Sequence, residues 1–136
     1  MNVYVFDASA LLRFVDREAG GDQVERIFGE LAAGTARGVV SAVQWGEVAG
    51  NIVQRFDTQT RRFVQSNLLE LGIEVIPASG ERAVKAAVIR VVEKLSYADA
   101  FAVELTMDSP DHLLVTADND FKAVEKAIRI EFLPAN

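Results

Sequence analysis

Five short apolar runs, residues 3–6, 38–40, 73–76, 113–116 and 130–132, punctuate this chain and are separated by stretches of helical period. Runs this short and this continuously apolar suit strands covered on both faces, the condition of a parallel sheet flanked by helices. The intervening stretches supply the helices. Residues 9–16 form a short one that the Gly20-Gly21 pair breaks, and residues 23–33 set Val24, Ile27, Phe28 and Leu31 at helical spacing before Gly34. Ser41, with Gln44 three residues on, reads as a capping box opening a helix that runs to about Arg55. Residues 58–71 carry Phe63, Leu68 and Leu71 ahead of Gly72, and Ser79 caps a helix through Val84, Val88, Val91 and Val92. Ser96-Tyr97-Ala98-Asp99 opens another, and a short final helix follows Asn119-Asp120. Strands alternating with helices predict an α/β fold around a largely parallel, five-stranded sheet. With no internal repeat and no Pro/Gly-rich linker, residues 1–136 are expected to form one domain.

The residue inventory removes several chemistries. The chain has no cysteine, which excludes disulfides, thiolate nucleophiles and Cys-based zinc sites. Its only histidine is His112, so histidine-pair ribonuclease chemistry and Ser-His-Asp triads are poor candidates. The net charge of −6 argues against general nucleic-acid binding, because phosphate contacts come from Lys and Arg. Four carboxylates converging on a cation would account for four of those six charges, which keeps a metal-mediated nuclease in play. Arg13, Arg55, Arg61, Arg62 and Arg82 are candidate phosphate contacts. No apolar stretch approaches the roughly 20 residues that cross a bilayer. Met1-Asn2-Val3-Tyr4 is not a basic segment leading into an apolar one, so a cytoplasmic location without membrane attachment is expected.

Chemistry concentrates in carboxylates. Asp7 directly follows the first strand and Asp118 lies two residues past the fourth, at the carboxyl rim where parallel sheets bind ligands. Each alone is also an ordinary cap or turn residue. Asp99 sits on a helix that is apolar nearly all round. If Glu104 and Asp108 mark its solvent side, Asp99 points inward, where Ala102, Val103 and Thr106 offer no positive partner. A buried carboxylate in that position is protonated or bound to something positive, unless it merely completes a capping box with Ser96. Glu47 shares a polar stripe with Gln44, Asn51 and Gln54 that is either a solvated face or the wall of a cleft. Asp120 reads as a supporting acid or a cap. Ser9 and Thr116, beside Asp7 and Asp118, are placed to orient carboxylates or to satisfy local backbone.

Clustered carboxylates suit hard divalent cations, Mg²⁺ or Mn²⁺, which can hold a scissile phosphate, acidify a water and stabilise a leaving oxygen. Four segments carry a family resemblance in order along the chain. Val5-Phe6-Asp7-Ala8-Ser9-Ala10-Leu11-Leu12 resembles the first motif of PIN-domain proteins, and Ser41-Ala42-Val43-Gln44-Trp45-Gly46-Glu47-Val48 their second. Ser96-Tyr97-Ala98-Asp99-Ala100-Phe101-Ala102 is similar to the third, and Leu114-Val115-Thr116-Ala117-Asp118-Asn119-Asp120-Phe121 to the fourth. Size and motif wording are most similar to the VapC-type toxins of toxin–antitoxin pairs. The resemblance implies a three-layer α/β/α sandwich and a Mg²⁺- or Mn²⁺-dependent endoribonuclease acting on RNA, often a structured RNA such as tRNA. It implies Asp7, Glu47, Asp99 and Asp118 as catalytic and metal-binding residues, a homodimer, and a VapB-like antitoxin whose tail occupies the groove. Gly46 departs from good helix composition beside Glu47, at about 1 kcal/mol relative to Ala.

Three rivals stand against this reading. A phospho-receiver would pair acids after its first strand and carry a late strand-end lysine, and neither is present. A haloacid-dehalogenase-like phosphatase would need Asp-x-Asp where this chain has Asp7-Ala8-Ser9. A PIN fold without catalysis, serving as a scaffold, is the third.

Overall fold

β-Branched residues alternating between two buried faces decide the layering. In the computed structural model, which describes residues 1–135, Tyr4 and Phe6 pack into one core while Val3 and Val5 pack into the other. Val40 and Val115 join the first core, and Val39 and Leu114 join the second. A sheet buried on both faces needs helices on both, which gives three α/β/α layers.

The elements follow in the order β1 (Asn2–Phe6), α1 (Ala8–Val15), α2 (Gly21–Ala32), β2 (Ala36–Ser41), α3 (Ala42–Arg55) and α4 (Thr58–Glu70). Then come β3 (Ile73–Ile76), α5 (Gly80–Glu93), α6 (Tyr97–Thr106), β4 (His112–Thr116), a 3₁₀ turn (Asn119–Val124) and β5 (Ile130–Phe132). The five strands are ordered β3-β2-β1-β4-β5 and every pairing is parallel. The chain steps from β1 to β2 on one side and later returns to place β4 on the other. The carboxyl ends of β1 and β4 therefore flank the topological switch point, where open α/β sheets bind ligands.

Local chemistry sets the joints. Gly20, at φ 88°, turns the chain into α2, and a Cβ on Gly21 would lie 2.6 Å from the carbonyl oxygen of Arg13, so α1 and α2 meet backbone to backbone there. Helix α6 is buried from Ala100 through Thr106, as its composition predicts. Two expectations change. Glu104 does not mark a solvent side: it is 2 % exposed and paired with Arg82 on α5 at 2.6 Å. The last helix is a 3₁₀ turn that Asp118 caps. Among the described residues, no helix is long and apolar enough to cross a membrane.

Candidate active site

β1 leads directly into Asp7, whose carboxylate accepts from the Ala10 amide and so caps α1. The same carboxylate accepts from the Ser9 hydroxyl at 2.7 Å and, through Oδ2, from the Thr116 hydroxyl at 2.6 Å. Ser9 and Thr116 in turn accept from the backbone amides of Ala117 and Asp118. The two hydroxyls thus stitch the end of β1 to the end of β4, and each satisfies carboxylate and backbone together. Asp118 continues the pattern by accepting from the Asp120 amide.

The third contributor is the start of α6. Ser96 caps that helix and accepts from the Asp99 amide, so half of the capping box forms while the Asp99 carboxylate remains turned to the acid cluster. Carboxylate oxygens of Asp99, Asp118 and Asp120 lie within 4.8 Å of one another. Asp7 and Glu47 stand beside this triad, and the charge of Asp99 disfavours ionisation of both. The predicted quartet is therefore gathered around Asp99, with Asp120 inside the tightest group rather than at its margin.

Electrostatics follow from this crowding. Asp7 is buried, and desolvation pushes its pKa up to about 6, against the hydrogen bonds from Thr116, Ala10 and Ser9. Burial, then the charges of Asp118 and Asp120, raises Asp99; burial, then Asp99, raises Glu47. No Lys or Arg pairs with any of the five acids among the described residues. Partial compensation comes from helix ends, since α1, α6 and the 3₁₀ turn all direct their amino termini here. Oxygen donors alone, closely grouped and short of positive charge, fit a hard divalent cation.

Gln44 is the residue that sequence reasoning misassigned. Its own cap, Ser41, accepts from the Val43 amide, and no capping box forms through Gln44. The buried Gln44 side chain instead accepts from the Ala8 amide at 2.7 Å and donates to the Ala98 carbonyl at 2.7 Å. It braces the first turn of α1 against the first turn of α6, the two turns that present Asp7 and Asp99. Its burial on an otherwise polar stripe had no signature in the sequence.

The arginines fare unequally as phosphate contacts. Arg82 is committed to Glu104 and Asp108, so it is removed from that list. Arg13 donates to the carbonyls of Ala19 and Pro134, and Arg55 is held by Asp16 and Asn51. Arg13, Asn51 and Arg55 nevertheless line a recess of about 370 Å³ that borders the acids through Ser9 and Ala117. A larger groove of about 610 Å³ runs between α2 and α4 over Phe14, Val64 and Leu68, away from the acids.

Comparison with known proteins bears on the family and the fold. The family model described as "PIN domain" matches residues 4–127. No curated protein matches the chain. Among solved structures, the chain is similar to VapBC2 from Rickettsia felis bound to a promoter DNA fragment, with TM-score 0.74, 12 % identity, and 97 % of this chain and 99 % of that one covered. It is similar to the VapC20 sarcin-ricin-loop-cleaving toxin of Mycobacterium tuberculosis, with TM-score 0.73, 16 % identity, and 98 % and 100 % covered. DNA-bound VapBC of Salmonella typhimurium gives TM-score 0.71 at 16 % identity, with 97 % and 98 % covered.

Proposed function

Because the chain belongs to the PIN domain family, we propose that it is a metal-dependent endoribonuclease and the toxin half of a VapBC-type pair. The observation that carries this reading is the grouping of Asp99, Asp118 and Asp120 within 4.8 Å, with Asp7 and Glu47 alongside and no basic residue among them. Like charges are held together at this cost where a cation is meant to bind.

Asp99, Asp118 and Asp120 would hold a Mg²⁺ or Mn²⁺ ion, and Asp7 and Glu47 would complete the oxygen set. When bound, such an ion neutralises phosphodiester charge, acidifies a water and stabilises the departing oxygen. The protein's own part is positional. Thr116 and Ser9 fix the orientation of Asp7, Ser96 fixes the turn carrying Asp99, and Gln44 holds the two turns in register. Arg13, Asn51 and Arg55 would contact the RNA strand from the adjoining recess. A VapB-like antitoxin would restrain the enzyme, with its tail against the acids and the α2–α4 groove giving apolar purchase to the rest of it.

The test is cleavage of RNA by purified protein with Mn²⁺, comparing the native chain with Asp7→Asn and Asp99→Asn. Cleavage by the native chain that chelation and both substitutions abolish is expected. RNA cleavage that survives both substitutions would defeat the assignment.

A further inference from the structure

Arg55 ends α3 with its guanidinium held on three sides. Its Nε donates to Asn51 at 2.7 Å, one turn back on the helix, and its Nη2 reaches the two carboxylate oxygens of Asp16 at 3.1 and 3.0 Å. Its Cζ lies 5.1 Å from the centroid of the Phe56 ring, within cation–π range. The planar group is fixed, yet its side chain stays 38 % exposed and the adjoining Phe56 58 %. An ordered guanidinium and an aromatic ring thus offer flat surface to solvent side by side. Both stand at the end of a path that starts at the acids. Ser9, Arg13 and Asp16 on the α1 side, and Asn51 and Arg55 on α3, line the recess of about 370 Å³ that reaches Ala117, beside Asp118. Glu47, Asn51 and Arg55 follow one another every four residues, so Arg55 stands about 12 Å beyond Glu47 along the helix axis. At about 3.4 Å per stacked nucleotide, that is a reach of about four nucleotides from the acids.

We infer that Arg55 and Phe56 form a stacking site for one unpaired base of the RNA strand, a few nucleotides from the scissile phosphate. Charge separates this role from phosphate binding. Arg13 is held by the neutral carbonyls of Ala19 and Pro134 and forms no ion pair among the described residues, so its charge is available to a phosphate. Asp16 already offsets the charge of Arg55, which weakens its pull on a phosphate and leaves its plane intact. Guanidinium planes and aromatic rings are the protein surfaces on which unpaired bases stack. Asp16 and Asn51 take up Arg55 donors and lock the plane beside the Phe56 ring, so little freedom remains to be lost when a base arrives. Every base has a π-face, so the site accepts any base that is free to leave its neighbours and refuses one paired within a duplex. The stacking site presupposes the ribonuclease reading and adds where the strand lies and which residues hold it.

Fluorescence anisotropy with an unstructured oligoribonucleotide, and Ca²⁺ in place of Mn²⁺ to keep the strand uncut, reads the site without cleavage. Phe56→Ala, at an exposed position, should keep the parent's far-UV spectrum and weaken binding about tenfold, with the dependence on log salt unchanged. Arg13→Gln should instead flatten that dependence by about 0.7, the share of one phosphate on a single strand. Phe56→Trp should bind like the parent. Abasic sites placed one at a time along the oligonucleotide should reveal one position at which the Phe56→Ala penalty disappears, which a merely structural role would not produce. Equal affinity of Phe56→Ala and parent would overturn the proposal and assign the exposed ring to a protein partner. A penalty that persists at every abasic position, or is as large on a duplex of the same sequence, would overturn it too. If the parent binds and any of these results follows, the stacking site alone fails; a parent that neither binds nor cuts RNA takes the ribonuclease reading with it.

Discussion

Replacing Gln44 by Leu tests whether the site is braced as the structure shows. Leucine keeps the side chain's bulk and removes both polar ends. The Ala98 carbonyl keeps its place in the hydrogen-bond ladder of α6, but the Ala8 amide belongs to the first turn of α1 and has no helical acceptor. Stranding a half-buried amide costs about 1–3 kcal/mol. At about 2.1 cal/mol/K per residue, unfolding this chain releases on the order of 0.3 kcal/mol/K, so a loss of about 2 kcal/mol lowers Tm by roughly 7 °C.

Function should suffer beyond stability. The first turns of α1 and α6 would lose their direct tie, and the Asp7 and Asp99 carboxylates would no longer be held in register for a shared cation. Thermal melts followed by circular dichroism, with EDTA and then with saturating Mn²⁺, separate the two effects. The variant should lose its Tm in EDTA and also gain less from Mn²⁺ than the native chain. Gln44→Glu sharpens the point, because it keeps the acceptor for Ala8 but adds a carboxylate against the Ala98 carbonyl and near Asp99. Burial raises that new group's pKa, so its penalty should be larger at pH 8 than at pH 5. A Gln44→Leu protein that melts with the native chain and responds equally to Mn²⁺ would refute the bracing role.

Other consequences can be measured on the same protein. Asp7 has a folded pKa of about 6, above its unfolded value, so its protonated form favours the native state and that stability is lost as pH rises between about 4 and 6. In EDTA the native chain should therefore melt higher at pH 5 than at pH 7. Asp7→Asn should flatten that pH 5 to 7 difference by about 1 kcal/mol, the share of the shift not already lost by pH 5, and a native Tm that climbs from pH 5 to 7 would contradict this. Arg82→Met strands Glu104, whose Oε2 already lacks a partner, and should cost about 3 kcal/mol in urea unfolding, most of it recovered when Glu104→Leu is added. Gly21→Ala drives a Cβ against the Arg13 carbonyl and should cost about 2 kcal/mol; an unchanged urea midpoint would show that α1 and α2 can separate freely.

Reading the chain worked where the physics is local. Apolar runs gave the strands, and Asp7 and Asp118 do lie just beyond two of them, on one rim of the sheet. Reading failed where the deciding partner was remote. Gln44 looked like part of a capping box because its true partners, Ala8 and Ala98, lie 36 and 54 residues away. Glu104 looked solvated because a charged residue on an apolar helix defaults to the outside, and its ion-pair partner, Arg82, is 22 residues away on α5. The outward valines of α5 follow from that same pair: once Arg82 must face Glu104, helical geometry puts Val84 and Val91 on the other side. Asp120 is local to Asp118, yet its membership of the triad depends on where α6 delivers Asp99.

If the acids hold a cation, as proposed, their chemistry favours a hard one. Three helical amino termini and two hydroxyls converge on the acids, and that is the most the backbone can do without introducing a positive side chain. It is not enough, since Asp7 still sits near 6 and Asp99 and Glu47 are raised as well. A lysine or arginine at this point would relieve the repulsion, but it would fill the space that the proposed cation and phosphodiester would share. The remaining deficit is one that only a removable charge can fill. Soft and borderline metals are poorly served, because the tight group is made of carboxylates alone and the single histidine, His112, opens β4 at the end of the strand away from Asp118. A cation bound to the folded chain and not to the unfolded one raises stability with its concentration. On the proposed reading, the acid cluster should thus weaken the fold without Mn²⁺ or Mg²⁺ and strengthen it with the ion, so that folding itself becomes a reporter of cation binding.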